Sequence, residues 1–293
     1  MRLLILRTVL VATDLEPSSR NALDTGHRLA ALAGASLHVA HVTVASPTAA
    51  PVAASRGRPE NEVRVAMDRA NVPHDHGHIH VIPGEPAEAI GALADRLDAG
   101  VIILGQHRRR EGDTPFGSLG STARRILLRA HVPCLVAGPP LHLPMRRVLV
   151  PTDFSDPARG ALLVGLSWAS GLRAGSDGAT SLTALHVQPV RPGVSDDDAS
   201  AALVRELEHL RENAGSWAEV ELHGRAEHGE DAALEIERFA IEHASDLVVM
   251  GTRGLRASGE AGLGSVSEAV AIRNRVPTLL VPPSVWQSYT ARG

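Results

Sequence analysis

The feature that most constrains this chain is that it contains its own sequence twice. Residues 7–23, RTVLVATDLEPSSRNAL, recur at 146–162 as RRVLVPTDFSDPARGAL. Later matches keep the same order along the chain, and they are His41-Val42 with His186-Val187, Gly105 with Gly251, Gly120-Ser121 with Gly264-Ser265, and Val132-Pro133 with Val276-Pro277. Solenoid repeats have periods of about 20 to 50 residues, so a repeat this long indicates two tandem domains.

The boundary between the halves is predicted at residues 138–144, GPPLHLP, because its prolines cannot continue a helix or a central strand. We therefore predict one domain at 1–140, a second at 145–284 and a tail at 285–293. A chain of 293 residues is long enough for each half to bury its own core.

Within each half, short apolar runs alternate with helical patterns. The runs VIIL and LVVM are apolar at every position, as in parallel strands covered on both faces. Strands are predicted at 8–13, 37–44, 78–82, 100–104 and 133–137, and again at 147–152, 181–187, 218–223, 246–250 and 277–281. The segments 46–62 and 189–199 lack a pattern and are predicted to be loops. This α/β alternation predicts a doubly wound, five-stranded parallel sheet in each half.

The basic residues of this chain exclude several kinds of nucleotide chemistry. All 29 of them are arginine. A Walker A loop, a pyridoxal enzyme and a protein kinase each require a lysine, so none of them is encoded here. The net charge of −4 gives no general attraction to nucleic acid or anionic lipid. The apolar stretch at the start is too short for a signal peptide, and we expect a cytoplasmic protein without a membrane partner.

Ligands of an open parallel sheet bind beyond the carboxyl ends of its strands, where the strand order reverses. The first strand of each half ends in an aspartate, Asp14 or Asp153. In the second half the fourth strand runs into Gly251-Thr252-Arg253-Gly254, followed after nine residues by Gly264-Ser265. Glycines permit positive φ and a close approach to a ligand, and a helix that begins after Gly264-Ser265 favours an anion at its N-terminus.

These residues resemble the ATP-binding branch of the universal stress protein family. The resemblance rests on the glycine spacing, the aspartate that ends the first strand and the His-Val pair of the second strand. It covers both halves, from residue 7 to about 283. It implies the strand order 3-2-1-4-5 of adenine-nucleotide α-hydrolase-like folds, with adenine between the aspartate and a backbone amide near the His-Val pair.

Carried over by the resemblance, Asp153 and Val187 lie at adenine, with Gly251, Gly254, Gly264, Ser265 and Val266 around the ribose and phosphates. The corresponding, weaker set in the first half is Asp14, Val42, Gly105, Gly120 and Ser121. The implied ligand is ATP, with or without Mg²⁺. The resemblance also implies a homodimer.

The first half departs from the pattern in its glycine loop. Arg108 stands at the second glycine position, and eleven residues rather than nine precede Gly120-Ser121. Gly100 also replaces Asp246, which we interpret as a further sign of a weakened site. The arginines at 108–110 either contact phosphates or form a solvated surface. We predict that the first half binds nucleotide more weakly than the second, or not at all.

Each signal also has a structural explanation. A Gly-x-x-Gly loop is often only a turn, and Asp14 and Asp153 are also suited to capping helices. The histidines at 74–80 suggest a metal, since alternate residues of a strand share a face, yet we expect no metal site because histidines around a turn are common. Asp196-Asp197-Asp198 is either a solvated loop or a helix start, and Cys134 is expected in the core.

The function expected from the sequence is that of a stress-response protein regulated by ATP. The alternative is an ATP-independent interaction or assembly protein with vestigial pockets. No catalytic residues are assigned, since no Walker lysine, paired carboxylates or Ser/His/Asp order is present. Any ATP hydrolysis is expected to be slow and to depend on a bound divalent ion.

Overall fold

The computed structural model describes residues 6–43, 59–74, 77–105, 119–172, 179–189, 196–214, 220–254, 262–273 and 275–291. The chain divides into two compact units between Pro140 and Leu141. We call the part from Leu6 to Pro140 the first domain and the part from Leu141 onward the second domain. Each is a parallel β-sheet covered by helices, which confirms the predicted fold class.

In the first domain the sheet order is β3-β2-β1-β4-β5, and the paired strands run parallel. The strands are β1 (Thr8–Ala12), β2 (Ser36–Thr43), β3 (Gly77–Pro83), β4 (Val101–Gly105) and β5 (Cys134–Ala137). The helices are α1 (Arg20–Ala33), α2 (Pro59–Arg69), α3 (Pro86–Arg96) and α4 (Ser121–Arg129), with a short 3₁₀ turn at Pro17–Ser19.

The second domain repeats this order as β8-β7-β6-β9-β10. Its strands are β6 (Arg147–Pro151), β7 (Thr180–Gln188), β8 (Val220–His228), β9 (Leu247–Gly251) and β10 (Thr278–Val281). Its helices are α5 (Asp156–Gly171), α6 (Asp196–Ala214), α7 (Ala232–Glu242), α8 (Ser265–Arg273) and α9 (Pro283–Thr290). In both domains the order reverses between the first and fourth strands, which is where a ligand crevice forms.

All ten predicted strands are found among the described residues, and nine of them agree with prediction to within one residue at each end. The exception is β8, which continues to His228 through a polar stretch that contains Gly224. Helix α6 packs directly on Gly224, where a Cβ would overlap the carbonyl of Ser200. The two predicted loops were too long, because α2 already begins at Pro59 and α6 at Asp196.

A glycine in the first helix of each domain brings that helix close to the sheet. A Cβ at Gly26 of α1 would overlap the side chain of Val11, and one at Gly165 of α5 would lie 2.8 Å from Val150 Cγ2. Both valines are fully buried. The short helix–strand distance therefore excludes water from the centre of each domain. None of the helices in the described part of the chain is long and apolar enough to cross a membrane.

Asp246 lies at the opposite edge of the sheet from the ligand crevice, just before β9. Its Oδ2 accepts hydrogen bonds from the backbone N–H groups of Arg146 and Arg147 at 2.8 and 2.9 Å. The carboxylate therefore provides the hydrogen-bond acceptor for two backbone N–H groups at the start of β6. Our interpretation of Gly100 was wrong on this point, because Gly100 likewise precedes β4, at the edge of the sheet opposite the carboxyl ends of the strands.

Candidate functional site

The predicted site residues of the second domain lie at the carboxyl ends of β6, β7 and β9 or at the start of α8. Asp153 follows β6, Val187 is near the end of β7, and Gly251 ends β9. Because these strands are neighbours in one parallel sheet, their carboxyl ends meet at one edge.

The backbone turns sharply directly after Asp153. Phe154 has a φ of 64°, which is the left-handed conformation that few residues other than glycine adopt. Asp153 Oδ1 accepts hydrogen bonds from the backbone N–H of Ser155 at 3.1 Å and from its hydroxyl at 2.5 Å. Ser155 also caps α5 by accepting from the N–H of Ala158 at 3.4 Å. Asp153 is thus not the cap itself, and the first turn of α5 holds its carboxylate at the sheet edge.

Gly254 lies directly against this carboxylate. A Cβ built on Gly254 would be 2.5 Å from Asp153 Oδ2, which is far inside the van der Waals distance. Any side chain at position 254 must therefore displace Asp153. Glycines were expected here either for a positive φ or for a close approach of the backbone to other groups. Neither Gly254 nor Gly264 has a φ in the left-handed region, so only the close approach applies.

Gly264 connects the end of β9 to the start of α8. Its N–H donates to the carbonyl of Thr252 at 2.8 Å, and its own carbonyl accepts from the N–H of Glu268 at 2.8 Å as the first bond of the helix. The hydroxyl of Ser267 also donates to the Thr252 carbonyl at 3.3 Å. In an α-helix the first amides find no acceptor within the helix, and here they belong to Ser265, Val266 and Ser267. They are the groups that a phosphate would use.

Gly251 has a packing role that the sequence did not suggest. A Cβ there would be 2.9 Å from the backbone carbonyl of Pro157 in the first turn of α5. Gly105 of the first domain faces Ser18 and Ser19 in the same way, at 3.1 and 3.2 Å. In both domains the absence of a side chain at this glycine therefore allows the first turn of a helix to pack against the end of the fourth strand.

The histidine of each His-Val pair binds the end of the first strand. His186 Nδ1 is 2.8 Å from the carbonyl of Thr152, and His41 Nδ1 is 3.0 Å from that of Thr13. A carbonyl only accepts, so the histidine donates in both cases. In the second domain the His186 ring also lies 5.0 Å from the Phe154 ring. This aromatic pair was not predicted from the sequence, although it adjoins Asp153 and Val187.

The first domain places Asp14, Val42, Gly105, Gly120 and Ser121 at the corresponding positions. Asp14 Oδ1 accepts from the N–H of Glu16 at 3.0 Å and from the hydroxyl of Ser19 at 2.5 Å, so Ser19 serves this carboxylate instead of capping α1. Leu15 has a φ of 66°, like Phe154. Asp14 is exposed, whereas Asp153 is half-buried. The arginines at 108–110 lie outside the described residues.

The helices that begin at Ser121 and Ser265 carry opposite charges in their first turns. Position 268 of α8 is glutamate, and the corresponding residue of α4 is Arg124. Each helix also forms an ion pair with another element. Arg273 at the end of α8 pairs with Asp231 at 3.4 Å, and Arg125 in the middle of α4 pairs with Glu85 at 3.0 Å. The N–H of Leu234, and then Arg273, lower the pKa of the Asp231 carboxyl.

No group of three or more histidine, cysteine, aspartate or glutamate side chains that could hold a metal ion is found in the part of the chain that the structure describes. Cys134 is buried as expected, and burial raises the pKa of its thiol to about 12. It therefore carries no thiolate chemistry at neutral pH.

The sequence profile of the universal stress protein family matches the chain twice, at residues 6–138 and 144–282. A universal stress protein from Archaeoglobus fulgidus DSM 4304 has a similar solved structure, with 22% identity, a TM-score of 0.66 and coverage of 94% of this chain and 98% of that one. A putative universal stress protein from Pseudomonas aeruginosa UCBPP-PA14 is 16% identical with a TM-score of 0.62, covering 100% of this chain and 99% of that one. A comparison with curated proteins finds no match.

Proposed function

The chain belongs to the universal stress protein family as a tandem two-domain member, and we propose that its second domain binds ATP and uses nucleotide occupancy to regulate a cytoplasmic stress response. The nucleotide lies across the carboxyl ends of β6, β7 and β9. Adenine is held by the Asp153 carboxylate and the backbone near Val187, and the ribose and phosphates follow Gly251, Gly254, Gly264, Ser265 and Val266.

The observation that carries this proposal is the contact between Gly254 and Asp153. It brings the glycine segment, which precedes the phosphate-binding helix, against the carboxylate proposed for the base. A ligand that contacts both this carboxylate and the free amides of α8 would carry hydrogen-bond donors at one end and an anion at the other. A nucleotide has this form, and the absence of a Walker lysine leaves backbone amides as the main phosphate ligands.

The phosphates need a counterion in this arrangement. The carboxylate of Glu268 lies in the first turn of α8, where it opposes a second negative charge. Glu268 would help to hold a Mg²⁺ ion that accompanies ATP, and the ion would neutralise part of the phosphate charge.

A regulatory role fits this site better than catalysis. Asp153 Oδ1 already accepts two hydrogen bonds from Ser155, which lowers its basicity and makes it a poor group to activate water. Occupancy would instead change the surface offered to a partner or to a second copy of the chain.

Isothermal titration of ATP, ADP and AMP into the full chain, with and without Mg²⁺, tests the proposal. We expect one binding site per chain, and we expect it to bind ATP more tightly than ADP or AMP. The Asp153→Ala variant should lose most of this affinity, and the matched Asp14→Ala variant in the first domain should keep it.

Two outcomes would contradict the proposal. If no nucleotide binds and none co-purifies with the protein, the pockets are vestigial and the chain acts as an ATP-independent interaction protein. If Asp14→Ala removes the binding and Asp153→Ala does not, the site lies in the first domain. Light scattering with and without ATP then tests whether the chain forms a homodimer.

A further inference from the structure

Three histidines of the first domain lie together on β2 and β3, away from the nucleotide site. His38 and His78 are directly opposite each other in the register of the two strands, and His80 is two residues further along β3. Directly opposed residues share a face, as do alternate residues of one strand. All three imidazoles are therefore on the same face of the sheet.

This face is the one covered by α3. The other face of β2 carries Leu37 and Val39, which are buried and lie within 4 Å of a Cβ built on Gly77, beside Met67 of α2. Helix α3 packs against β2. Its charged end contributes Arg96, whose positive charge acts on His80. The groups that face the imidazoles are thus one another and a guanidinium.

His38 and His80 are joined by a direct imidazole–imidazole hydrogen bond. His38 Nδ1 lies 2.9 Å from His80 Nε2. The ring planes differ by only 17° while the ring centroids are 5.1 Å apart, so the rings meet edge to edge rather than face to face. This is the geometry of an N–H···N bond. The His78 ring is on the other side, 4.7 Å from that of His38.

Such a bond depends on the number of protons that the pair carries. A neutral imidazole has one N–H and one acceptor nitrogen, so two neutral rings form one bond. One added proton keeps that bond but places a charge beside Arg96 and His78. A second proton leaves two donors facing each other and two positive charges in contact, which breaks the bond.

We propose that His38, His78 and His80 form a pH-sensing site that loosens the β2–β3 edge of the first domain when the protein is acidified. Because burial and the neighbouring positive groups oppose protonation, the site responds below the pH at which a free histidine titrates. Its effect is confined to the first domain, because the corresponding register positions of the second domain carry Thr183, His223 and Arg225.

The pKa values agree in direction with this geometry. Burial, followed by the charges of His80 and His78, lowers the pKa of His38 from 6.5 to about 4. Burial and then the charge of Arg96 lower the pKa of His80 as well. The unfolded chain therefore binds protons that the folded domain does not. The stability contributed by these groups is complete above pH 6.5 and is lost as the pH falls from 6.5 towards 4.

Hydrogen–deuterium exchange of the full chain at pH 7.5 and pH 5.0 tests the proposal, after correction for intrinsic exchange rates. The opening constant of peptides over 36–43 and 77–83 should rise about tenfold or more at the lower pH. Peptides over 180–188 and 220–228, the matched strands of the second domain, should change much less. An equal change in both domains would overturn the proposal.

Two variants identify the groups responsible. The double variant His38→Gln, His80→Gln removes the titrating pair and should make exchange in 36–43 and 77–83 nearly independent of pH. The control His223→Gln should leave the wild-type response intact. The ring signals of the unmodified protein can also be followed by NMR, and titration of His38 and His80 at pH 6.5 or above would refute the proposal even if the double variant fails to fold.

Discussion

The two domains share a scaffold but differ at the glycine loop, and the comparison separates what the fold requires from what a ligand requires. Both have the same strand order, a left-handed residue after the first aspartate, and a histidine bonded to the end of the first strand. Gly105 and Gly251 are both packed on a helix backbone. A feature present in both domains can therefore be explained by folding alone.

The residues that differ are more informative about function. Gly254, which touches Asp153, has Arg108 at its position in the first domain, and Glu268 is matched by Arg124. On the sequence difference at positions 108 and 254 we expect a nucleotide to come closer in the second domain, whereas the charges in the first turn of α8 favour phosphate less than those of α4. Stronger nucleotide binding by the second domain thus requires that the close approach allowed by Gly254 contribute more to affinity than the charge difference between Glu268 and Arg124.

The largest effect is expected from Gly264→Val. A Cβ at this position is already 3.0 Å from Ser267 Oγ and 3.5 Å from the Thr252 carbonyl oxygen, so a branched side chain must move the start of α8. Loss of two charge-assisted hydrogen bonds at ~1.5 to 3 kcal/mol each would weaken ATP binding about a hundredfold or more. Titration calorimetry measures this, and Gly120→Val should matter much less. Equal losses would show that the first domain also holds phosphate.

Gly254→Ala should weaken ATP binding about tenfold, since its methyl group must displace the Asp153 carboxylate and misplace one charged hydrogen bond to the base. Gly262→Ala is the control on the same segment, because a Cβ there meets nothing within 4 Å. Gly254→Arg, which copies the first domain, should bind even less. The steric explanation of the asymmetry fails if Gly254→Ala and Gly262→Ala bind equally well.

Asp246→Ala should lower the free energy of unfolding of the second domain by about 2 kcal/mol, because it leaves the N–H groups of Arg146 and Arg147 without their acceptor. All three tryptophans are in the second half of the sequence, so their fluorescence reports on this domain. Asp246→Asn keeps an acceptor oxygen and should lose less. ATP affinity of the folded variant should not change, and a clear decrease would mean that Asp246 acts on the site after all.

The smallest effect is expected from Glu268→Gln. Without Mg²⁺, removal of this charge should strengthen ATP binding about threefold, which is typical of a partly solvated charge interaction. With saturating Mg²⁺ the difference should shrink. Glu208→Gln removes an exposed glutamate of α6 and serves as the control for net charge. Tighter binding by Glu268→Gln only in the presence of Mg²⁺ would contradict the assigned role.

Most of the fold was predictable because its strands are short, apolar and repeated. The match between residues 7–23 and 146–162 predicted the two tandem domains and the equivalent positions of Asp14 and Asp153. The length of β8 was not predictable, because its polar residues and Gly224 do not form a strand pattern in the sequence. Gly224 is required there by its close contact with the backbone of α6. Such a contact depends on tertiary packing and leaves no local pattern.

The positions of the candidate site residues in the fold were predictable, but their contacts were not. The strand ends and the helix start at Ser265 follow from the pattern of the sequence. The roles of the glycines did not, because backbone contacts such as those of Gly251 with Pro157 and Gly254 with Asp153 are long-range. For the same reason the replacement of Asp246 by Gly100 was interpreted as a sign of a weakened site, although the partners of Asp246 are at the other edge of the sheet.

The two hydrogen bonds received by the Thr252 carbonyl also bear on protein engineering. They tie Gly264 and Ser267 to the end of β9, and neither bond involves a residue between Gly254 and Gly262. The entropy of closing a loop grows slowly with its length, by about 0.6 kcal/mol for each doubling. A fluorescent reporter or a peptide epitope inserted in that segment is therefore expected to leave the sheet and α8 in register, which a nucleotide biosensor built on the proposed site would require.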